Sequence, residues 1–86
     1  MKGVIKAKEP ENAMQKLLQK LNQELGTPSN VEYDIELNKE PVSNISDINI
    51  LPKDKLNVNI NYNGKLIKSN FVQNNKLLIG KYEIIR

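Results

Sequence analysis

The residues of this chain best suited to chemistry are three carboxylates at alternating positions, Glu32, Asp34 and Glu36. Carboxylate oxygens are preferred ligands of Mg²⁺ and Ca²⁺, and two carboxylates can also work as a general acid and a general base. Acid–base catalysis needs the two groups in unequal environments, whereas one exposed strand face gives all three nearly equal surroundings. Such a row is more often the solvent side of a strand, so we predict no metal site and no catalytic residues.

Other reactive groups are scarce. The 86-residue chain contains no cysteine and no histidine, which excludes thiol nucleophiles, disulfides, Cys/His zinc sites and imidazole as a proton carrier. The glycines Gly3, Gly26, Gly64 and Gly80 are too far apart in sequence to form a phosphate-binding loop. The sequence therefore predicts a protein that is not an enzyme and uses no cofactor.

The charge distribution leaves nucleic acid as one class of partner. The formal net charge is +3, and residues 53–86 carry about +5 against about −3 for residues 31–40. The lysines and asparagines that could meet phosphates are Asn57, Asn59, Asn61, Lys65, Lys68, Lys76 and Lys81. Two features argue against this alternative. Arginine is nearly absent, and the predicted inward position of Tyr62, Phe71 and Tyr82 leaves no platform on which bases could stack.

The abundance of lysine, asparagine and isoleucine also has a genomic explanation. Their codons are A/T-rich, so the genome of a low-GC bacterium, its phage or a plasmid would produce this composition without selection for binding. In size and composition the chain resembles small accessory proteins of phages and mobile elements, a similarity that no motif carries.

Residues 10–25 have the clearest helical pattern. The apolar side chains that fall on one stripe of such a helix are Met14, Leu17, Leu18, Leu21 and Leu25. Pro10 suits the first turn, and Gly26 followed by Pro28 ends the helix. We therefore predict one amphipathic helix that packs across a sheet.

The strongest strand signal lies between Leu56 and Tyr62, where apolar residues alternate with asparagines as far as the pair Asn63-Gly64. Asn-Gly favours a two-residue type I′ turn. The cross-strand pairs that follow are Ile60 with Ile67, Val58 with Ser69 and Leu56 with Phe71. This register keeps large apolar side chains together, so we predict a β-hairpin with one buried face.

A second tight turn at Asn74-Asn75 would extend the hairpin into a three-stranded meander over residues 55–86. It would pair Phe71 with Leu78 and Ile67 with Tyr82. The helix is then predicted to cover the face of the meander that carries Phe71 and Tyr82.

Further strands are predicted on either side of the helix. Val31 to Leu37 alternates cleanly, with the carboxylate row pointing outward, and Gly3 to Lys8 could form a strand before the helix. The segment between Pro41 and Pro52 matches neither the helical nor the strand period of apolar residues well. We predict a short strand there, from Asp47 to Leu51.

The outer face of the meander is less polar than a solvated sheet face should be. The predicted register brings five apolar residues to it: Leu66, Val72, Leu77, Ile79 and Ile85. Two explanations remain open. Either residues 42–51 or the N-terminal strand pack over these side chains, or they form an exposed patch for a partner or a second copy.

Together these features predict a single α+β domain over residues 1–86, with one amphipathic helix packed on a mostly antiparallel sheet that ends in the meander. The chain shows no signal peptide and no transmembrane segment, so we expect a soluble, cytoplasmic protein. The expected function is non-catalytic binding of another protein, or of itself as a homo-oligomer, through the outer apolar residues. Nucleic-acid binding is the alternative, and imitation of a phosphate row by the three carboxylates is a speculative variant.

Overall fold

A computed structural model of the chain describes residues 2–85, with the side chain of Asp47 excepted. Met1 and Arg86, at the ends of the predicted domain, lie outside the described residues. The elements in chain order are β1 (Lys2–Ala7), α1 (Pro10–Leu25), β2 (Val31–Leu37), β3 (Glu40–Pro41), a 3₁₀ turn (Ile45–Asp47), β4 (Lys55–Tyr62), β5 (Lys65–Asn74) and β6 (Leu77–Ile85). The predicted α+β class is confirmed, with one helix and a six-stranded antiparallel sheet in the described part of the chain.

The strand order across the sheet is β1-β6-β5-β4-β2-β3, so the predicted meander forms its centre. The N-terminal strand pairs antiparallel with β6 and forms one edge. The outer side of that edge is partly covered, because the Lys16 ammonium of the helix donates a hydrogen bond of 2.8 Å to the Lys6 carbonyl. At the other edge β3 extends over only two residues, and one of them is Pro41.

The helix spans Pro10–Leu25, as predicted, because its apolar stripe has a sheet to pack against. Leu17 and Leu21 are fully buried in the core, and Leu18 and Leu25 are partly buried beside them. Gly26 ends the helix with φ of +85°, and its amide donates a 2.8 Å hydrogen bond to the Asn22 carbonyl.

The β4–β5 hairpin has the predicted register. Ile60 pairs with Ile67, Val58 with Ser69, and Leu56 with Phe71. Asn63 and Gly64 both have positive φ, of 52° and 85°, as a type I′ turn requires. Ser69 is buried without penalty, since its hydroxyl donates a 2.7 Å hydrogen bond to the Val58 carbonyl.

The predicted position of the second turn is wrong by one residue. The loop residues are Asn75 and Lys76, with Asn75 at φ of 58°, so Phe71 pairs with Gly80 rather than Leu78. Ile67 correspondingly pairs with Ile84 rather than Tyr82. The Phe71 ring lies over Gly80, in space that a β-carbon there would occupy. Because the pairing shifts by two residues, every side chain keeps its predicted face.

The predicted strand from Asp47 to Leu51 is also wrong. The chain instead forms the 3₁₀ turn, capped by Asn44, whose side-chain oxygen accepts a 3.1 Å hydrogen bond from the Ser46 amide. Local capping of this kind competes with strand pairing. Ile50 is buried in the core beneath the helix, and Ile45 and Ile48 pack against the same core. The short strand β3 was not predicted.

The ends of the long 39–54 connection are tied together by Asn38. The side-chain nitrogen of Asn38 donates a 2.9 Å hydrogen bond to the Asp54 carboxylate. The side-chain oxygen of Asn38 accepts a 3.0 Å hydrogen bond from the backbone amide of Lys55. The hydrogen bonds from Asn38 and from the backbone amide of Leu51 lower the pKa of Asp54 below its usual value. These contacts extend the pairing of β2 with β4 beyond the strands.

Tyr82 connects the sheet to the helix. Its ring is 4% exposed, and its hydroxyl donates a 3.1 Å hydrogen bond to the Glu24 carboxylate. Burial, and then the hydrogen bond and negative charge of Glu24, raise the pKa of Tyr82 above its usual value of 10.0. The folded protein therefore holds the phenol proton more tightly than the unfolded chain does.

This raised pKa predicts a loss of stability in alkali. Above about pH 10 the unfolded phenol releases its proton while the folded phenol keeps it, so the free energy of unfolding falls as the pH rises toward the folded pKa. We expect Tyr82→Phe to cost about 1 kcal/mol at pH 7 through the lost hydrogen bond. The difference between the two proteins should shrink above about pH 10 in urea unfolding experiments. Curves that stay parallel between about pH 8 and 11 would contradict this account.

Candidate functional site

The face of the sheet opposite the helix is uncovered within residues 2–85, and we call it the open face. It consists of the outward side chains of β1, β6, β5, β4 and β2, as their pairing register defines them. Neither segment that was expected to cover this face does so. Ile45, Ile48 and Ile50 pack on the helix side, and β1 lies at the sheet edge beside β6. The explanation by internal packing is therefore wrong.

The five predicted apolar residues all lie on the open face. Val72 on the central strand is 45% exposed and pairs with Ile79, while Leu66 at the other end of that strand is 40% exposed and pairs with Ile85. Leu77 lies two pairs beyond Ile79, opposite Asn74, and is therefore the next outward residue of β6. The apolar residues therefore form two clusters, one at each end of β5 and β6.

Sequence reasoning missed a further apolar side chain of the open face. Val4 is 54% exposed and pairs with Lys81, so it lies on the same side as Ile79. The alternation along β1 contained this signal, but the side of the sheet to which Val4 points depends on the pairing with β6.

A polar band separates the two apolar clusters. Lys68 and Asn70 lie on β5 between Leu66 and Val72, and the neighbouring strand β4 contributes Asn57 and Asn59. Asn61 also faces this way, and its side-chain oxygen accepts a 2.8 Å hydrogen bond from the Gly64 amide of the turn. The band consists of amide groups and ammonium groups, which can bind carbonyls, carboxylates or phosphates.

The structure brings together only part of the predicted nucleic-acid set. Lys68 and Lys81 join the asparagines on the open face. Lys65 lies directly after the first hairpin turn and Lys76 lies within the second, at opposite ends of β5. A groove of about 540 Å³ passes over β1, β6 and β5. Its lining includes Lys2, Lys68 and Lys81. Lys2 was not among the predicted residues, because its pairing with Glu83 at 3.7 Å is a long-range contact.

The open face is electrically polarised from one side to the other. The strands β1, β6 and β5 carry four outward lysines and one glutamate there, a formal net charge of +3: Lys2, Lys6, Lys68, Lys81 and Glu83. The strand β2 carries the three outward carboxylates Glu32, Asp34 and Glu36, a formal net charge of −3. Lys55 lies outward at one end of β4.

The three carboxylates have amides as their neighbours. Glu32, Asp34 and Glu36 pair with Asn61, Asn59 and Asn57 of β4. In the part of the chain that the structure describes, no group of three acidic residues is arranged to hold a metal ion. The row adds negative charge to one side of the open face.

These features define a class of protein: a one-helix α+β fold with one covered and one open side of an antiparallel sheet. The chain matches no protein-family model, no curated protein and no solved structure. Among residues 2–85, no helix is long and apolar enough to cross a membrane. The open face is therefore the feature of the molecule that bears on function.

Proposed function

We propose that this protein is a non-catalytic binding module that docks another protein chain on its open face. The observation that supports the proposal most strongly is the exposure of Leu66 and Val72 at the centre of a sheet. Central strands are normally covered on both sides when their outward residues are apolar, because exposed apolar surface is costly in water. A partner would remove this surface from water.

The size of the open face suits such a partner. Five strands about 4.8 Å apart and about seven residues long give a face of roughly 24 by 24 Å. Its projected area is therefore roughly 580 Å², of the same order as the ~800 Å² per partner of a standard interface. Two apolar clusters around a polar band also match the mixture of apolar and hydrogen-bonding contacts found in such interfaces.

Site-specific photocrosslinking tests this proposal in the cells that make the protein. A photoreactive amino acid would replace Val72 on the open face, and in a control it would replace Leu51, which is 56% exposed but lies in the connection before β4. We expect a discrete crosslinked protein product from position 72 and none from position 51.

Equal crosslinking from the two positions, or none from either, would overturn the proposal. Both residues are exposed in the folded protein, so neither replacement should change the free energy of unfolding by more than about 0.5 kcal/mol. Thermal unfolding of each variant checks this before the crosslinking is interpreted.

Nucleic-acid binding is the second candidate, and the groove that Lys2, Lys68 and Lys81 line supports it. Three ammonium groups beside the Asn70 amide could follow a phosphate backbone. Glu83 lies in the same groove and carries negative charge, which weakens this candidate relative to protein docking. The acidic strand β2 would also repel a phosphate chain that continued across the sheet.

The nucleic-acid candidate predicts a specific salt effect. If it holds, Lys68→Glu with Lys81→Glu should weaken binding of a mixed-sequence DNA or RNA oligonucleotide and reduce the slope of log K against log salt by about 2. Lys65→Glu serves as the matched control, because Lys65 lies beside the hairpin turn outside the groove. Fluorescence anisotropy between about 50 and 500 mM salt measures the slope. Equal effects of the double and control variants would remove the groove as the binding site.

A further inference from the structure

The polarised charge of the open face suggests which partner fits it. With β5 on the midline, the side formed by β1 and β6 has a formal net charge of +2 from Lys2, Lys6, Lys81 and Glu83. The side formed by β4 and β2 has −2 from Lys55, Glu32, Asp34 and Glu36, and β1 and β2 are about 19 Å apart. A surface with equal and opposite charge on its two sides is complementary to itself when one copy is turned over onto another. A second copy as partner rests on the proposed docking function and specifies what docks.

Two copies can meet face to face about a two-fold axis in the interface plane in two ways. An axis perpendicular to the strands would place β1 over β1 and β2 over β2, so that like charges face each other. An axis parallel to the central strand β5 and lying over it reverses the strand order, so that β1 of each copy, with Lys2 and Lys6, lies over the acidic strand β2 of the other, and β6 lies over β4. Like charges opposed across an interface are strongly unfavourable, so the charge pattern selects the second arrangement.

We propose that the partner is a second copy of this chain, docked open face to open face about a two-fold axis parallel to β5. Leu66 and Val72, which lie on β5, then meet their own counterparts near the axis, flanked by Ile85 and Ile79 of β6. Aligned packing of two sheets about 10 Å apart buries these side chains between the layers. The apolar clusters are thus positioned where a symmetric interface has its core.

Lys68 gives this arrangement a specific signature. It lies on β5 between Leu66 and Val72, so the two-fold axis brings it close to the Lys68 of the second copy. Neutralising this lysine should therefore strengthen the dimer, whereas it would weaken binding of a phosphate chain in the groove. The change in affinity on neutralising Lys68 therefore has opposite signs for a second copy of the chain and for a nucleic acid.

Charge-reversed variants and analytical ultracentrifugation test the inference. Asp34→Lys with Glu36→Lys, or Lys2→Glu with Lys6→Glu, should each weaken the dimer at least about tenfold, and the combination of all four should recover most of the loss. Lys68→Gln should tighten the dimer, and salt should weaken it. Lys20→Glu, on the exposed side of the helix, is the control and should change nothing.

A wild-type mass that remains 9.8 kDa up to about 1 mM protein would overturn the second copy as partner. The dissociation constant of the dimer would then exceed about 1 mM, which is too weak for a specific interface. Failure of the four-residue combination to recover the dimer would overturn the proposed axis.

The crosslink from position 72 distinguishes failure of the homodimer proposal from failure of the docking function. A product of twice the chain mass supports the homodimer, and a product with a different protein retains docking but excludes the second copy. The absence of any product contradicts both.

Discussion

Replacing Gly80 with alanine is expected to lower the free energy of unfolding by about 3 kcal/mol, at the upper end of the range for overpacked cores. Gly80 is buried and pairs with Phe71, whose ring occupies the place of a β-carbon. Phe71 is itself 1% exposed, so its ring has no solvent into which it can move. For a domain of this size the melting temperature should fall by roughly 12–24 °C.

A double-mutant cycle with Phe71→Leu isolates the contact. The smaller side chain leaves room for the new methyl group, so Gly80→Ala should cost less in the Phe71→Leu background than in the wild type. Gly64→Ala is the control for loss of glycine without a clash, because a β-carbon there meets no atom within 4 Å and only its φ of +85° is unfavourable. If the changes in the free energy of unfolding caused by Gly80→Ala and Phe71→Leu simply add in urea experiments, the Phe71 ring and Gly80 are not energetically coupled.

Asn63→Ala is expected to cost about 2 kcal/mol, since it removes shared hydrogen bonds and places alanine at positive φ. The Asn63 side-chain oxygen accepts hydrogen bonds from the Ser29 amide at 2.8 Å, the Ser29 hydroxyl at 2.9 Å and the Asn30 amide at 2.9 Å. The backbone amide of Asn63 in turn donates a 2.8 Å hydrogen bond to the backbone carbonyl of Asn30. One turn residue therefore fixes both the hairpin and the connection from helix to sheet.

Two further substitutions separate the contributions of Asn63. Asn63→Gly keeps the backbone conformation without strain but loses the side-chain acceptor, so we expect a cost of about 1 kcal/mol. Asn63→Asp keeps an acceptor oxygen for the same three donors and should remain close to wild type. Chemical denaturation should rank the variants Asp, Gly, Ala in order of falling stability. Equal stability of the Gly and Asp variants would show that the connection to Ser29 and Asn30 contributes nothing.

The elements that the sequence predicted correctly are those set by local spacing. The helix has its apolar stripe within its own sixteen residues and its stop signals, Gly26 and Pro28, directly after them. The β4–β5 register follows from alternation and the Asn63-Gly64 turn. The second turn was misplaced because Asn74 and Asn75 both tolerate positive φ. The choice between them depends on the packing of Phe71 against Gly80, which is a contact across two strands.

The sequence predicted which meander residues lie on the open face, but it did not predict the contribution of β1 or decide whether the face is exposed. The register alone placed Leu66, Val72 and Ile79 together on one side of the sheet. Their exposure depends on where the segment before β4 packs, and that is decided by Ile50, which enters the core on the helix side. The two-sided charge pattern could not be read from the chain, because β1 and β2 acquire their positions only through pairing with β6 and β4.

The two edges of the sheet determine what kind of assembly this protein can form. Unpaired strand edges allow sheets to grow without limit into fibres. Here one edge strand has a carbonyl bound by Lys16, and the other ends in a two-residue strand that includes Pro41, which has no amide hydrogen to donate. These contacts oppose strand addition locally, at Lys6 of β1 and at the end of β2 that pairs with β3. If two copies associate through the open face as proposed, each copy uses up that face, so assembly by this contact stops at a pair.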